Sequence, residues 1–470
     1  MDPTFLSIEE LAPLIRRRKV SPVELLNAVL ARIEALNPRL NAYLTVCAES
    51  ARAEAARAER EIMRGRSRGP LHGIPVSLKD NISTRGIRTT AGSKILTEHI
   101  PEEDAAAVRR LRRAGAVIVG KTNLHEFAYG VTTENPHYGP TRNPWDTERI
   151  AGGSSGGSAA ALAAGLCYAS VGTDTGGSIR IPASLCGIVG LKPTYGRVSC
   201  SGVVPLAPTL DHVGPLARCV ADAAIVLRAI AGRDPRDATT LGLPPLELPP
   251  RLGRPPKRLR LGVARDALWQ RVDEGVRRAA ETAAGFFKQR GAEIIEISLP
   301  AVATSAEPSN HIALAEATHY HQRMGYFPAR AADYGNDVRK RLEMGMKVHA
   351  VGYLRAFVSR LRARAEFEAA FAQVDAMLAP TVPLPAPRIG EAVVKIEGQE
   401  ETTRAALLRL CRPANFAGLP AISLPCGFTR AGLPLGLQVI GPPCGEEMVL
   451  RIALAYEQVH AWHRKHPPNL

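Results

Sequence analysis

The chain has 470 residues, 45% of them hydrophobic, and a formal charge of +15 from 60 Lys and Arg against 45 Asp and Glu, enough chain for one large or two ordinary domains with a sizeable core. The basic excess would suit a polyanion, but arginine alternates with glutamate along stretches such as Arg52 to Arg64, the pattern of solvated helix faces, so no nucleic-acid partner is expected. There is no run of eighteen apolar residues, and the first twenty residues carry Glu9, Glu10, Arg16, Arg17 and Arg18 without an apolar stretch, so neither a membrane span nor a signal peptide is expected and the expected location is the cytoplasm.

In chain order, Ser7-x-x-Glu10 and Ser21-Pro22-x-Glu24 both read as capping boxes that start helices. In the second helix Leu25, Leu26, Val29, Leu30, Ile33 and Leu36 share one face before Asn37-Pro38 closes it. A charged helix is predicted over 49–63. At Pro70 the texture changes: Gly73 to Lys79 predicts a strand, 104–114 a helix capped by Gly115, and 116–119 a buried strand, together a βαβ unit. Two glycine-serine loops follow, Gly152-Gly-Ser-Ser-Gly-Gly-Ser158 and Gly172-Thr-Asp-Thr-Gly-Gly-Ser-Ile-Arg180, separated by an alanine-rich helix over 159–165 and an apolar strand over 166–171. A strand over 188–191 and a helix over 220–231 precede a connector, 241–256, that holds six prolines.

Beyond it a second βαβ unit is predicted: strand 259–263, helix 273–290 capped by Gly291, and strand 292–297. Residues 310–373 predict helices rich in Arg and His that would cap the site, leaving through the proline-rich 380–387. Strands over 421–424 and 435–440 and a helix from Glu446 complete the chain. The expected fold is a single large α/β domain with a central mixed, mostly parallel twisted sheet covered by helices on both faces. Its regions are expected to be 1–68 (helical, packing on the core), 69–240 (core with the loops), 241–400 (connector, second βαβ unit and helical cap) and 401–470 (strands and helix completing the core). Eight cysteines are scattered with no Cys-x-x-Cys pair, so no structural zinc, disulfide framework or other metal is expected, and no cofactor.

Three chemistries compete for the two loops. Glycine-serine runs serve as flexible linkers, but a linker does not sit inside a helix-and-strand pattern. Phosphate and dinucleotide loops want Gly-Lys-Ser/Thr or Gly-x-Gly-x-x-Gly, and neither is present. The third is acyl transfer, with a serine nucleophile beside backbone N–H donors. A serine needs a base. His125, His137 and His212 show no obvious acidic partner in sequence. A lysine, with a pKa near 10.4 in water, serves only where burial lowers it by about 3–5 units, and Lys79, at the end of the apolar run Ile74 to Leu78, is the candidate.

The two loops together with Gly73-Ile-Pro-Val-Ser-Leu-Lys-Asp-Asn81 closely resemble the amidase signature family of serine hydrolases, over nearly the whole chain. Gly120-Lys-Thr-Asn123, Pro140-Thr-Arg-Asn-Pro144, Gly190-Leu-Lys-Pro-Thr194 and Asn415-Phe-Ala-Gly-Leu-Pro-Ala-Ile-Ser-Leu-Pro425 add to the likeness. The resemblance implies Ser178 as nucleophile, Lys79 as base and Ser154, next to a cis peptide bond, as the bridge between them. It implies an oxyanion hole from the N–H groups of Thr175, Gly176, Gly177 and Ser178. Ser155, Asp174 and Arg180 are read either as loop scaffolding or as direct participants.

Within the family two branches are weighed: stand-alone amidases, and the ammonia-releasing A subunit of the glutamine-dependent aminoacyl-tRNA amidotransferase. Thr133-Glu-Asn135 and Lys192-Pro-Thr-Tyr-Gly-Arg197 look close to the amidotransferase branch. However, the aspartate that in that branch usually grips the glutamine amino group, seven residues before the Asn of Asn-x-x-Gly-Leu-Pro, is here Leu408. A stand-alone amidase, as a monomer or homodimer, is therefore the expectation, with Tyr129, Gly130 and Leu408 contacting a small amide, ester or carbamate of the kind that aryl acylamidases, esterases or urethanases take. The alternative of another class is a silent scaffold or basic nucleic-acid-associated protein that kept the fold.

Overall fold

A computed structural model describes residues 3–249, 252–253 and 258–468. Of the proline-rich connector, residues 250–251 and 254–256 lie outside the described residues. The N-terminal helices form where the caps place them. Ser7 and Glu10 close a reciprocal box on helix Ile8–Arg16. The Ser21 hydroxyl accepts from the N–H groups of Val23 and Glu24 at the start of helix Pro22–Leu40. That helix runs past the expected stop at Asn37-Pro38: the Asn37 carbonyl takes the N–H of Asn41, and its side-chain oxygen accepts from Ala42 and Tyr43, so the exit is organised after the proline.

Eleven strands form one sheet: β1 (Tyr43–Val46), β2 (Pro75–Lys79), β3 (Val117–Thr122), β4 (Ala169–Asp174), β5 (Val189–Lys192), β6 (His212–Ala217), β7 (Arg260–Val263), β8 (Glu293–Glu296), β9 (Ala376–Pro380), β10 (Ala421–Phe428) and β11 (Pro434–Ile440). Their spatial order is β1-β3-β2-β4-β6-β5-β10-β11-β9-β7-β8. Both expected βαβ units are present as parallel pairs, β2 with β3 around helix Ala106–Arg113 and β7 with β8 around helix Glu274–Gln289.

The sheet is mixed, but its parallel share is smaller than expected. Parallel pairing is confined to β3-β2-β4 and to β9-β7-β8, and the strands between them run antiparallel to their neighbours. The cause is β6, β9 and the β10-β11 hairpin. Of these, β6 and β9 were not legible as strands: His212-Val-Gly-Pro-Leu-Ala217 carries an internal proline that ordinarily marks an edge, yet Pro215 pairs with Val171 near the middle of the sheet.

One continuous core draws on residues from Ile8 to Tyr456. A smaller aromatic cluster, with Phe127, Tyr129, Phe327 and Tyr334, packs the helices Ala306–Arg323 and Asn336–Gly345 over the loop at 127–130. A third cluster joins Val131, Ile181 and Leu185 to Leu407, Leu408 and Cys411 of the C-terminal region. Among the described residues no helix is long and apolar enough to cross a membrane. Because β2 and β4 are parallel neighbours with Leu78 opposite Val171, Lys79 and the loop after β4 emerge at the same sheet edge, where α/β folds gather their chemistry.

Candidate active site

Lys79 ends β2 with no solvent exposure, and its Nζ donates to Ser154 Oγ at 2.8 Å and to Thr173 Oγ1 at 2.7 Å. Burial pulls the ammonium down to about 7, against the through-space pull of Asp174 and Asp211 in the opposite direction. Ser154 is equally buried and follows a cis peptide bond from Gly153. Its carbonyl accepts from the His125 N–H and the Thr133 hydroxyl. Thr133 is the peg of the first loop: Oγ1 donates to Gly152 O at 2.8 Å and accepts from Gly156 N–H at 3.1 Å. A Cβ on Gly153 or Gly156 would stand 2.7 or 2.5 Å from that oxygen, so only glycine lets the loop close on it.

The second loop is held by Asp174 at the end of β4. Its carboxylate accepts the N–H groups of Gly177 (2.7 Å) and Ile179 (3.1 Å) and pairs with the Arg180 guanidinium at 3.0 and 3.1 Å. Burial alone would raise this carboxyl, but the Arg180 charge and its hydrogen bonds hold it well below the usual range. Arg180, fully buried, also bonds the Cys411 carbonyl, Gln438 Oε1 and Asn415 Oδ1, and Asn415 Nδ2 returns to Asp174 at 2.7 Å. The two loops touch through the Ser155 N–H, which donates to the Ser178 carbonyl at 3.2 Å, while Ser155 Oγ donates to Thr173 O. Thus Ser155, Asp174 and Arg180 build and join the loops.

Ser178 is 5% exposed and lines a small cavity of about 30 Å³ with Tyr129, Gly176, Arg404, Leu408 and Arg412. Leu408 closes directly on the loop: its Cδ2 would lie 3.0 Å from a Cβ on Gly176. Gly130 also lines the cavity, but the space of its missing side chain is filled by the His125 ring. Two of the histidines do find acids, His125 with Asp337 from distant sequence at 2.9 Å and His137 with the nearby Glu126 at 2.8 Å. His212 instead bonds the Leu210 carbonyl and, buried, sits well below its ordinary pKa.

The family model described as Amidase matches residues 24–450. The chain belongs to the amidase signature family. It is an amide-bond hydrolase by that membership. It is 44% identical, over 482 aligned positions and 98% of both chains, to the A subunit of the glutamyl-tRNA(Gln) amidotransferase of Geotalea daltonii. Two solved structures are similar over 97% of this chain. One is of an amidase, at 37% identity and TM-score 0.87 over 99% of that chain. The other is the A subunit of the glutamyl-tRNA(Gln) amidotransferase of Thermotoga maritima, at 36% identity and TM-score 0.79 over 95% of that chain.

In this amidase signature chain Lys79, Ser154 and the Thr175 to Ser178 loop gather at one sheet edge, with Tyr129 and Leu408 across the cavity. Sequence reasoning missed Thr173, Thr133, Asn415, Gln438 and the two arginines. Thr173 sits inside the second loop motif, where alternation along β4 was a usable signal. Arg404 and Arg412, at four residues either side of Leu408, share its helical spacing. Nothing local marks Gln438, which reaches Arg180 from β11.

Removing Arg180 leaves the Asp174 carboxylate buried without its charge partner, a change that costs about 3–5 kcal/mol. Arg180→Met is therefore expected to lower the thermal unfolding midpoint in scanning calorimetry and to abolish activity with it; a midpoint equal to that of the parent chain would contradict the scaffolding role.

Proposed function

We propose that the chain hydrolyses its amide through a Ser178 acyl-enzyme, with Ser154 as proton relay and Lys79 as base. The observation that carries this reading is the buried Lys79 amine, brought to about pKa 7 and 2.8 Å from Ser154 Oγ. In its neutral form the amine accepts the Ser154 proton while Ser154 accepts that of Ser178, and the Ser178 oxygen bonds to the amide carbon. The negative oxygen that develops is met by backbone N–H groups. That of Gly177 is already given to Asp174, which leaves Thr175, Gly176 and Ser178 as the donors. Protonated Lys79 returns the proton through Ser154 to the departing nitrogen, the C–N bond breaks, and water, deprotonated along the same relay, releases the acid.

For the substrate, identity of 44% over nearly the full length to the A subunit of a glutamyl-tRNA(Gln) amidotransferase supports the ammonia-releasing chain of a glutamine-dependent tRNA amidotransferase, in place of the stand-alone enzyme expected from sequence. On this reading the chain works in an assembly: the ammonia freed at Ser178 passes to a partner that holds the tRNA-borne glutamate. A second reading, a stand-alone amidase, rests on one observation. Leu408 closes on Gly176 where an ammonium-binding carboxylate would be needed, and an unpaired ammonium there would be costly to bury. The same acyl transfer also suits esters, carbamates and aryl acylamides.

Ser178→Ala is expected to lower amide turnover by roughly 10⁴-fold or more, while a chelator leaves the parent chain active; turnover surviving in the variant, or lost to chelator, overturns the mechanism. Since the base must be neutral, kcat/KM is expected to fall tenfold per pH unit below about 7, where Lys79 takes up its proton, and to level off above it. Lys79→Met should lose activity along with that acid limb, as a stopped assay across pH 5 to 9 would show. Assayed alone, the chain separates the two substrate readings: ammonia release from glutamine only on adding partner chains favours the amidotransferase, and turnover of simple amides without partners favours the stand-alone enzyme.

A further inference from the structure

The cavity in front of Ser178 holds more positive charge than the structure neutralises. Arg404 and Leu408 lie four residues apart on helix Thr403–Arg409, and Arg412 opens the next helix, Arg412–Ala417. All three line the cavity. The Arg412 Nε would stand 3.7 Å from a Cβ on Gly176, and one of its Nη groups donates to the Ala306 carbonyl at 3.1 Å. The Arg404 Nε is cut off from solvent and has no hydrogen-bond partner. Among the described residues neither arginine has a carboxylate within ion-pair distance.

Tyr129, 1% exposed, presents the same deficit: its Oη is buried without a partner. A third guanidinium, Arg341, lies 5.3 Å from the Tyr129 ring, but it is bonded to the Tyr129 carbonyl and to Asp337, which also holds His125. Asp337 is thus already shared by two partners, and Asp211, the acid behind Thr175 and Leu206, is taken by the Thr175 hydroxyl and the Leu206 and Ala207 N–H groups. Arg404 and Arg412 are partly exposed, and desolvation, with Arg341 and Arg412 facing Arg404, draws both guanidinium groups below their ordinary range against the smaller opposing pull of Asp337 on Arg404.

We infer that Arg404, Arg412 and the Tyr129 hydroxyl bind a carboxylate on the acyl part of the substrate, so that the amide cleaved is the monoamide of a short dicarboxylic acid, with no ammonium beside that carboxylate. An anion completes the donors that the protein leaves open, and the guanidinium forks match a carboxylate in geometry as well as charge. An amino group on the same substrate would meet Leu408 and two arginines. The inference sides with the second, stand-alone reading of the substrate and rests on the hydrolase mechanism above for the position of the scissile bond, but the anion site stands or falls by its own measurement.

Two experiments on the full chain decide it. In turnover, glutaramate is compared with pentanamide, which replaces the carboxylate by a methyl group, and with glutamine, which adds an ammonium. The expected kcat/KM for glutaramate exceeds both by about 10- to 100-fold, the range for a charge-assisted hydrogen-bonded pair. Arg404→Leu and Arg412→Leu should bring the glutaramate-to-pentanamide ratio toward one, through KM, and Arg404→Lys should restore part of it. In binding, calorimetry of glutarate against the Ser178→Ala chain should show a complex that Arg404→Leu weakens about tenfold or more. Pentanamide turned over as well as glutaramate, with no glutarate bound, would overturn the anion site and leave the hydrolase standing. Glutarate bound and lost with Arg404→Leu, with no amide hydrolysed, would keep the site and overturn the hydrolase mechanism.

Discussion

An ammonium group cannot stay charged at ordinary cost where water does not reach it and no carboxylate bonds it, and the mechanism proposed for this chain depends on that constraint at Lys79. Three lysines of the sheet are fully buried, Lys79, Lys121 and Lys192, and their surroundings separate them. Lys121 has Asp80 at 3.4 Å, with the Ile82 carbonyl and the Thr89 hydroxyl as further acceptors. Lys192 is bonded to the carbonyls of Pro193 and Leu419, acceptors that have no proton to give. Lys79 has two hydroxyls, Ser154 and Thr173, at 2.8 and 2.7 Å. A general base needs a neutral amine and a proton donor in contact with it, and of the three only Lys79 has a serine from a glycine loop at that distance.

The second requirement is a loop that stays put while presenting backbone N–H groups. Asp174 meets it by taking the N–H groups of Gly177 and Ile179 and anchoring to Arg180, Asn415 and, through Arg180, Gln438. A buried ion pair is weak evidence of stability in itself, because desolvation offsets much of the attraction. Here its effect is positional. Four segments, β4 and helix Arg180–Cys186 just after it and, more than two hundred residues on, helix Arg412–Ala417 and β11, are fixed to one carboxylate and one guanidinium, and Ser178 lies on the turn between those two residues.

Much of this was legible in the chain itself, and the failures have physical causes. The caps at Ser7 and Ser21, both βαβ units and the two glycine loops follow from local pattern, and the triad of Lys79, Ser154 and Ser178 came from a family likeness that local pattern supports but does not contain. The strand β6 was hidden because His212 and Pro215 break the alternation by which strands are recognised, and β9 because it is a four-residue apolar run that ends at once in the proline-rich segment; tertiary pairing decided both. The scaffolding roles of Asn415 and Gln438, and the pairing of His125 with Asp337, join residues more than two hundred positions apart, and no local signal carries such a distance. Thr173 and the arginines at 404 and 412 are a different kind of miss: their spacing stands in the sequence, but without a second element to define the cavity nothing said which helix face was turned inward.

That last case bears on how the chain's likenesses divide. On the mechanism proposed above, the loops, Lys79 and the Asp174 knot serve acyl transfer, which is indifferent to what the acyl group carries at its far end. The wall opposite is made by helix Thr403–Arg409 and the turn into Arg412–Ala417, whose register is held from behind by Asn415 and the Cys411 carbonyl on Arg180. Such a wall is free to change at the positions that face the cavity, 404, 408 and 412, without disturbing the residues that hold it. High identity over the whole length therefore speaks firmly for the reaction and much less for the substrate. On the inference drawn above, a leucine flanked by two guanidinium groups with no carboxylate partner reverses the charge that an amino-bearing substrate requires, and three side chains facing one cavity are sufficient to do so.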